Sequence, residues 1–273
     1  MNDLMKRIDR AGSSGGPAVR PHRARPPLRA SFDCFRASYA GIFDSALLEL
    51  FGTSWTGWNP MPQMATMLNE ALDQLALHGL LLKSDPNLPS VTTLAAGEPV
   101  RGSWWGHPMS HQMFHLLEAL EDHEDAALIK LVSGKDTFIH KRLFSHLASI
   151  GMSREDWQLN GLTEAASRLL ELVDTHGVVK TDNLRLPGLS EPAKIGEAAR
   201  ELERVLLVRG ENVHTPSGKH AKVLESWERW LKRMGVREKT ATKDAKQELE
   251  QIVEWLNRRY QARGRLPWPA TPG

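Results

Sequence analysis

Apolar residues at Phe35, Tyr39, Ile42, Phe43, Ala46, Leu47 and Leu50 recur at three- and four-residue spacing, which lays them on one helix face, and Gly52 closes the run. The loop TSWTGWNPMP follows, its Trp55 and Trp58 expected to plug a core rather than stack on a ligand. The helical period returns over residues 63–78, with Met64, Met67, Leu68, Ala71, Leu72 and Leu75 on one side and Gly79 as the stop. LLLKSDPNLPS then breaks regular structure, and residues 84–103 read as loop with short strands at 91–94. Pro108 suits the first turn of a helix whose apolar side is Met113, Phe114, Leu117 and Leu120. After His123 the character changes: LIKLV and TFIH flank a Ser133-Gly134-Lys135 turn, which predicts a β-hairpin. Residues 141–150 are helical again, with Leu143, Phe144, Leu147 and Ile150 inward and Gly151 as the stop.

In the second half, Thr163 is placed to cap a helix carrying Ala166, Leu169, Leu170 and Val173, which ends at His176-Gly177. A short β-like run and a turn lead to a helix over about residues 191–206, with Ile195, Ala198, Ala199, Leu202 and Val205 inward. LLV-RGEN-VHT reads as a hairpin with RGEN as its turn. A third helix is predicted over residues 219–234, capped by Ser217 and striped by Val223, Leu224, Trp227, Trp230 and Leu231. A final helix spans about 243–262, and RGRLPWPATPG reads as an unstructured tail.

These patterns divide the chain into a Gly-, Pro- and Arg-rich arm at 1–30, too poor in apolar surface to fold, a helical domain with a β-hairpin at 31–155, a third domain at 156–235, and a C-terminal helix and tail at 236–273. The order over Leu162–Trp230, helix, helix, small β wing, resembles a winged helix-turn-helix domain. The expected fold class is mainly α with short β-hairpins and a winged-helix-like C-terminal half. The helix, hairpin, helix order around residues 108–150 extends that expectation to tandem winged helices, although the two halves share no sequence repeat.

Charge sharpens the picture. The net charge of +2 is the sum of +5 over residues 1–30, +6 over 229–265 and −9 between them. Basic ends of this kind can contact phosphates through counterion release, whereas the acidic middle is a surface for a protein partner. No apolar run approaches the length of a bilayer span, so no membrane partner is expected. The first thirty residues lack an apolar core for a secretory leader, and a single cysteine, Cys34, excludes an intrachain disulfide; the expected compartment is the cytoplasm.

Candidate chemistry is sparse. His107, His111 and His115 stand four residues apart, and His111 and His115 share a helix face as zinc ligands do, but Gln112 occupies the place of the carboxylate base, so packed or surface histidines are expected and no metal. Ser133-Gly134-Lys135 lacks the earlier glycine of a phosphate loop, since residue 129 is Ile129. His214 and His220 flank TPSGK, which capping explains without catalysis. No cofactor is expected. The element order over about residues 100–235 is similar to the AlkZ-like DNA glycosylases, and that resemblance implies base excision from damaged DNA. The family's Gln-x-Gln or Gln-x-Asp motif has no counterpart: Gln63, Gln74, Gln112, Gln158, Gln247, Gln251 and Gln261 never stand two apart, and none has an Asp two residues on, so no catalytic residue is carried over. The leading expectation is a DNA-binding winged-helix protein, regulatory or repair-associated, with a DNA-acting enzyme and a protein adaptor as alternatives. Its cationic edge would comprise Lys180, Arg185, Lys194, Arg200, Arg204, Arg209, Lys219 and Lys222, extended by Arg229, Lys232 and Arg233.

Overall fold

A computed structural model of the chain describes residues 60–182, 184, 192–214, 220–237 and 240–269. The arm at 1–30, the helix expected over 35–50, Cys34, Trp55, Trp58, Arg185, Ser217 and Lys219 lie outside the described residues. The described part is mainly helical with two small three-stranded antiparallel sheets. No described helix is long and apolar enough to cross a membrane.

The first sheet belongs to helix α1 (Pro60–His78), strand β1 (Leu80–Leu82), helix α2 (Val91–Ala96), helix α3 (Ser110–Glu121) and strands β2 (Ala126–Lys130) and β3 (Asp136–His140). The hairpin expected around Ser133-Gly134-Lys135 is present, and β3 is central, paired with both β1 and β2. Two expectations fail here. LLL is not a break but the strand β1, entered through Gly79 at φ 79°, a conformation that suits glycine alone. Residues 91–94 are not strands but the start of α2, because the Ser90 hydroxyl accepts the Thr93 N–H as an N-cap and Gly97 closes the helix at φ 73°. Lys135, at the hairpin tip, reaches Asp85 at 2.6 Å, and the same carboxylate accepts the Asn87 and Leu88 N–H groups. Burial opposes ionisation of Asp85, but the Lys135 bond and those two N–H groups hold its pKa below the usual value.

Strand alternation decides what each face of this sheet covers. Leu81, Ala126 and Phe138 pack against α1, α2 and α3. Leu80, Leu82, Ala127, Ile129 and Ile139 face a second layer made of helices α4 (Phe144–Met152), α8 (Trp227–Met234) and α9 (Thr242–Tyr260). Gly151 was expected to stop α4; instead the helix runs through it to Met152. Its missing side chain is a packing requirement, since a Cβ there would overlap the Trp227 indole. A short helix α5 (Asp156–Leu159) follows, and its buried Gln158 donates to the Val205 carbonyl at 3.0 Å.

The second sheet repeats the first's order. Helix α6 (Glu164–His176), strand β4 (Val178–Lys180), helix α7 (Pro192–Arg204) and strands β5 (Arg209–His214) and β6 (His220–Glu225) give a sheet with β6 central. The Thr163 cap and the Gly177 stop are as expected, the hydroxyl accepting the Ala166 N–H and Gly177 sitting at φ 73°. Its cap is reinforced from outside the helix, because Glu201 accepts both the Thr163 N–H and hydroxyl at 2.8 Å. Thr163→Ala should therefore lower stability by about 1–2 kcal/mol in denaturant unfolding, the upper part of the usual range for a lost cap. Ala166, Leu169, Leu170 and Val173 meet Ala198, Ala199 and Leu202 of α7, Val179 and Leu224 of the sheet, and Val208 just ahead of β5.

A hairpin forms in this region, but not the one expected from LLV and VHT around an RGEN turn. RGEN is strand rather than turn, and its partner is His220–Glu225, which the apolar spacing had assigned to the third helix. Gly210 lies in β5 because Glu203 packs on it; a Cβ at that position would collide with the carboxylate. Helix α8 begins only at Trp227, capped by the Ser226 hydroxyl on the Arg229 N–H. Of the expected tail, the described residues 263–269 are held against the core, contrary to expectation. Asn257 exchanges two hydrogen bonds with Gly264, the Ser133 N–H donates to the Arg265 carbonyl at 2.7 Å, and buried Trp268 donates to Glu250 at 2.8 Å. Proline and glycine there steer a strap across the core rather than releasing it to solvent.

Candidate nucleic-acid interface

Helix α7 and the β5–β6 ribbon carry most of the cations expected to meet a polyanion. By sequence α7 mixes Lys194, Arg200 and Arg204 with Glu197, Glu201 and Glu203. Packing separates them. Glu201 turns to the cap of α6, as above. Glu203 is buried and ion-paired to Lys222 of β6 at 2.8 Å. Lys194, Glu197, Arg200 and Arg204 remain exposed. At 3.6 residues per turn those four positions share one side of the helix with half-buried Glu201, so the outer side has three cations and two carboxylates, one of which is engaged by Thr163. Arg204 bonds the Arg200 carbonyl at 3.4 Å, which keeps its guanidinium beside the helix end.

Among the described residues, Lys180, Arg209 and Lys222 each pair with a neighbouring carboxylate. Lys180 pairs with Asp182 at 3.1 Å. Arg209 pairs with Glu211 at 2.9 Å and lies 5.8 Å over the Trp230 ring. Lys222 is held by Glu203. Of the cations on the closing helix, Arg229 and Arg233 converge on buried Glu225 at 3.7 and 2.7 Å, while Lys232 is exposed. The Glu225 hydrogen bonds raise the Arg233 pKa above its ordinary value. The structure thus leaves Lys194, Arg200 and Arg204 exposed along α7, holds Arg209 and Lys222 in the scaffold behind it, and keeps Lys180 exposed but paired with Asp182.

The corresponding helix of the first sheet has the opposite character. On α3, His111, Glu118 and Glu121 are exposed, and Asp122 follows at its C-cap. His111 and His115 meet through their Nε2 atoms at 3.3 Å, and His115 lies 3.4 Å from Glu118. Burial lowers both histidine pKa values, and the His115 charge lowers that of His111 further. His107 lies apart, its Nδ1 accepting the Met109 N–H and its Nε2 3.8 Å from Glu98. Among the described residues no three His, Cys, Asp or Glu side chains form a group able to hold a metal ion.

Between the two sheets, Lys130 and Asp136 of the first hairpin and Glu203 and Lys222 of the second line a shallow cleft with Gly210 and Asn212. Its four charged groups form two closed pairs, Lys130–Asp136 at 2.7 Å and Glu203–Lys222 at 2.8 Å. Charges already neutralised in this way offer little to an incoming ligand.

Sequence reasoning missed a cationic group elsewhere. Arg142, Arg258 and Arg259 are exposed, and none of them has a carboxylate partner among the described residues. A visible signal existed: residues 255–273 contain four arginines and no acidic residue. Comparison with known proteins adds no relative, since no family profile, curated protein or solved structure matches the chain.

Proposed function

We propose that this is a nucleic-acid-binding protein built from two winged-helix units, of which the second docks on duplex DNA. Both units have a helix, a short strand, a helix placed ahead of a hairpin, and a sheet with the last strand in the middle. That is the element order of a winged helix, in which the helix before the wing lies in the major groove and the wing rides the backbone. The reading rests on one observation above all, the sorting of charge on α7. Glu203 is buried against Lys222 and Glu201 is engaged by the Thr163 cap, which leaves Lys194, Arg200 and Arg204 exposed beside Glu197. Arginine suits this face because its fork can grip phosphate or a guanine edge. The acidic outer face of α3 argues that the first unit does not approach the same polyanion, and it is the surface on which a protein partner would find complementary charge.

No bond-making chemistry is assigned to this face. Gln158 is fully buried and its amide is spent on Val205, Glu155 and Ser153. Formation of abasic sites on alkylated duplex is the assay through which the base-excising alternative would show itself. The binding proposal is tested by a salt titration of affinity for a random duplex. Wild type should lose affinity steeply with salt, and Arg200→Ala/Arg204→Ala should flatten the log–log slope by roughly 2, near one for each phosphate contact removed. An unchanged slope, or no binding at low salt, overturns the proposal.

A further inference from the structure

The C-terminal end of α1 and the last two turns of α9 meet on a face remote in sequence from the proposed duplex site. His78, the last residue of α1, is 6% exposed and lies under the Trp255 indole, ring centroids 5.3 Å apart and planes tilted by 34°. Tyr260 stands edge-on to the same imidazole at 6.3 Å. His78 Nε2 is 3.0 Å from Gln74 Oε1, and Nδ1 has no hydrogen-bond partner among the described residues, so ring packing rather than polar bonding seats the indole. The outer surfaces stay open: Trp255 is 45% exposed and Tyr260 38%. Burying one side of an aromatic ring while leaving the other to water is stable only because the ring is pinned, and it presents a fixed flat surface.

The rim of this surface is cationic. Arg258 and Arg259 follow Trp255 at i+3 and i+4, on its own side of the helix. Arg259 lies 5.8 Å over the Tyr260 ring. Arg142 packs at Gly79, where an added Cβ would sit 2.8 Å from its guanidinium. Among the described residues no carboxylate pairs with any of the three. Three guanidinium groups without a carboxylate partner among the described residues, around two half-open rings, suit a ligand with negative charge and flat apolar faces at close intervals.

The geometry points to single-stranded nucleic acid as that ligand, with unstacked bases laid on Trp255 and Tyr260 and phosphates held by Arg142, Arg258 and Arg259. A duplex satisfies only half of the surface, because its bases are covered by their neighbours and cannot reach an indole. An acidic amphipathic peptide fits less well, since Leu77 is the one aliphatic side chain among the exposed large apolar residues of this face and offers no groove. Stacking on aromatic rings beside a cationic track is how single strands are bound without sequence preference. This surface is separate from α7, and its binding does not depend on the duplex proposal.

The test uses the full chain and two probes in fluorescence anisotropy, a labelled oligothymidylate and a labelled random duplex. Trp255→Leu, which keeps an apolar cover on His78, and Arg258→Ala/Arg259→Ala, which changes only exposed groups, should each weaken oligothymidylate binding by about tenfold and leave the duplex unaffected. Arg200→Ala/Arg204→Ala should do the reverse. Thermal melts establish that each variant is folded. Oligothymidylate that does not bind, or binds all variants alike, overturns the inference whatever the duplex does. So does an acidic peptide rich in Glu and Phe that binds the wild type more tightly than the oligothymidylate and loses affinity with Trp255→Leu. Loss of duplex binding alone removes only the α7 reading.

Discussion

Trp227→Ala is expected to destabilise the protein by about 3–5 kcal/mol in urea unfolding, among the largest effects a single substitution can have. Trp227 is 2% exposed, and its indole touches the Trp230 ring edge-to-face at 5.5 Å, while Trp230 in turn packs on Phe144 at 4.7 Å. Removing it costs the transfer free energy of the ring and leaves a cavity that α4 cannot collapse into without moving off the first sheet. A second loss is polar. The Trp227 Nε1–H donates to the Leu206 carbonyl at 2.6 Å. Leu206 sits at φ 57°, a left-handed conformation that costs a leucine about 1–2 kcal/mol and is held by its buried side chain and that bond. Gly151→Ala attacks the same contact from the opposite side and should destabilise for the complementary reason, overlap rather than void. Trp105→Ala is the control: at 65% exposure it should shift the midpoint little.

Glu203→Ala is expected to cost about 3 kcal/mol, because it leaves the Lys222 ammonium without its carboxylate in a setting where both side chains are mostly shielded from water, 8% and 18% exposed. The size of that loss is not the worth of the ion pair. Taking two charges out of water nearly cancels their attraction, so Glu203→Met/Lys222→Met should recover most of the wild-type stability. A double-mutant cycle by urea unfolding separates the two, and a double variant as unstable as the single one would contradict the assignment. What the pair contributes is alignment. It ties the last turn of α7 to the central strand of the ribbon and, with Glu201 at the α6 cap, fixes which charges of α7 face outward.

The sequence exposes most of the helices because their ends are chemically marked. Thr163 and Gly177 bracket α6, and Gly79 follows α1. It misleads where two elements share one apolar rhythm. Val223, Leu224, Trp227, Trp230 and Leu231 make an unbroken helical stripe, yet the first two belong to β6 and the rest to α8, with Ser226 as the cap between. RGEN looks like a turn because it is polar and contains glycine, but Gly210 answers to the Glu203 side chain, a tertiary contact that local pattern does not carry. β1 is too short to show alternation, and the β-branched start of α2 at Val91, Thr92 and Thr93 outweighs a Ser90 cap on inspection. The candidate site has the same history. The basic residues of α7 are plain in the sequence, whereas the engagement of Glu201 and the burial of Glu203 depend on Thr163 and Lys222, which lie 38 and 19 residues away.

The most direct measurement of the central claim is site-specific crosslinking to duplex DNA. A photoreactive group placed on Glu197→Cys, in a Cys34→Ser background, would sit on the outer stripe between Lys194 and Arg200. The same group on Glu171→Cys would sit on the exposed side of α6. Crosslinks from position 197 that disappear at high salt, with none from position 171, are the predicted result. Equal crosslinking from both positions, or none from 197 while the duplex is bound, would contradict a docked α7.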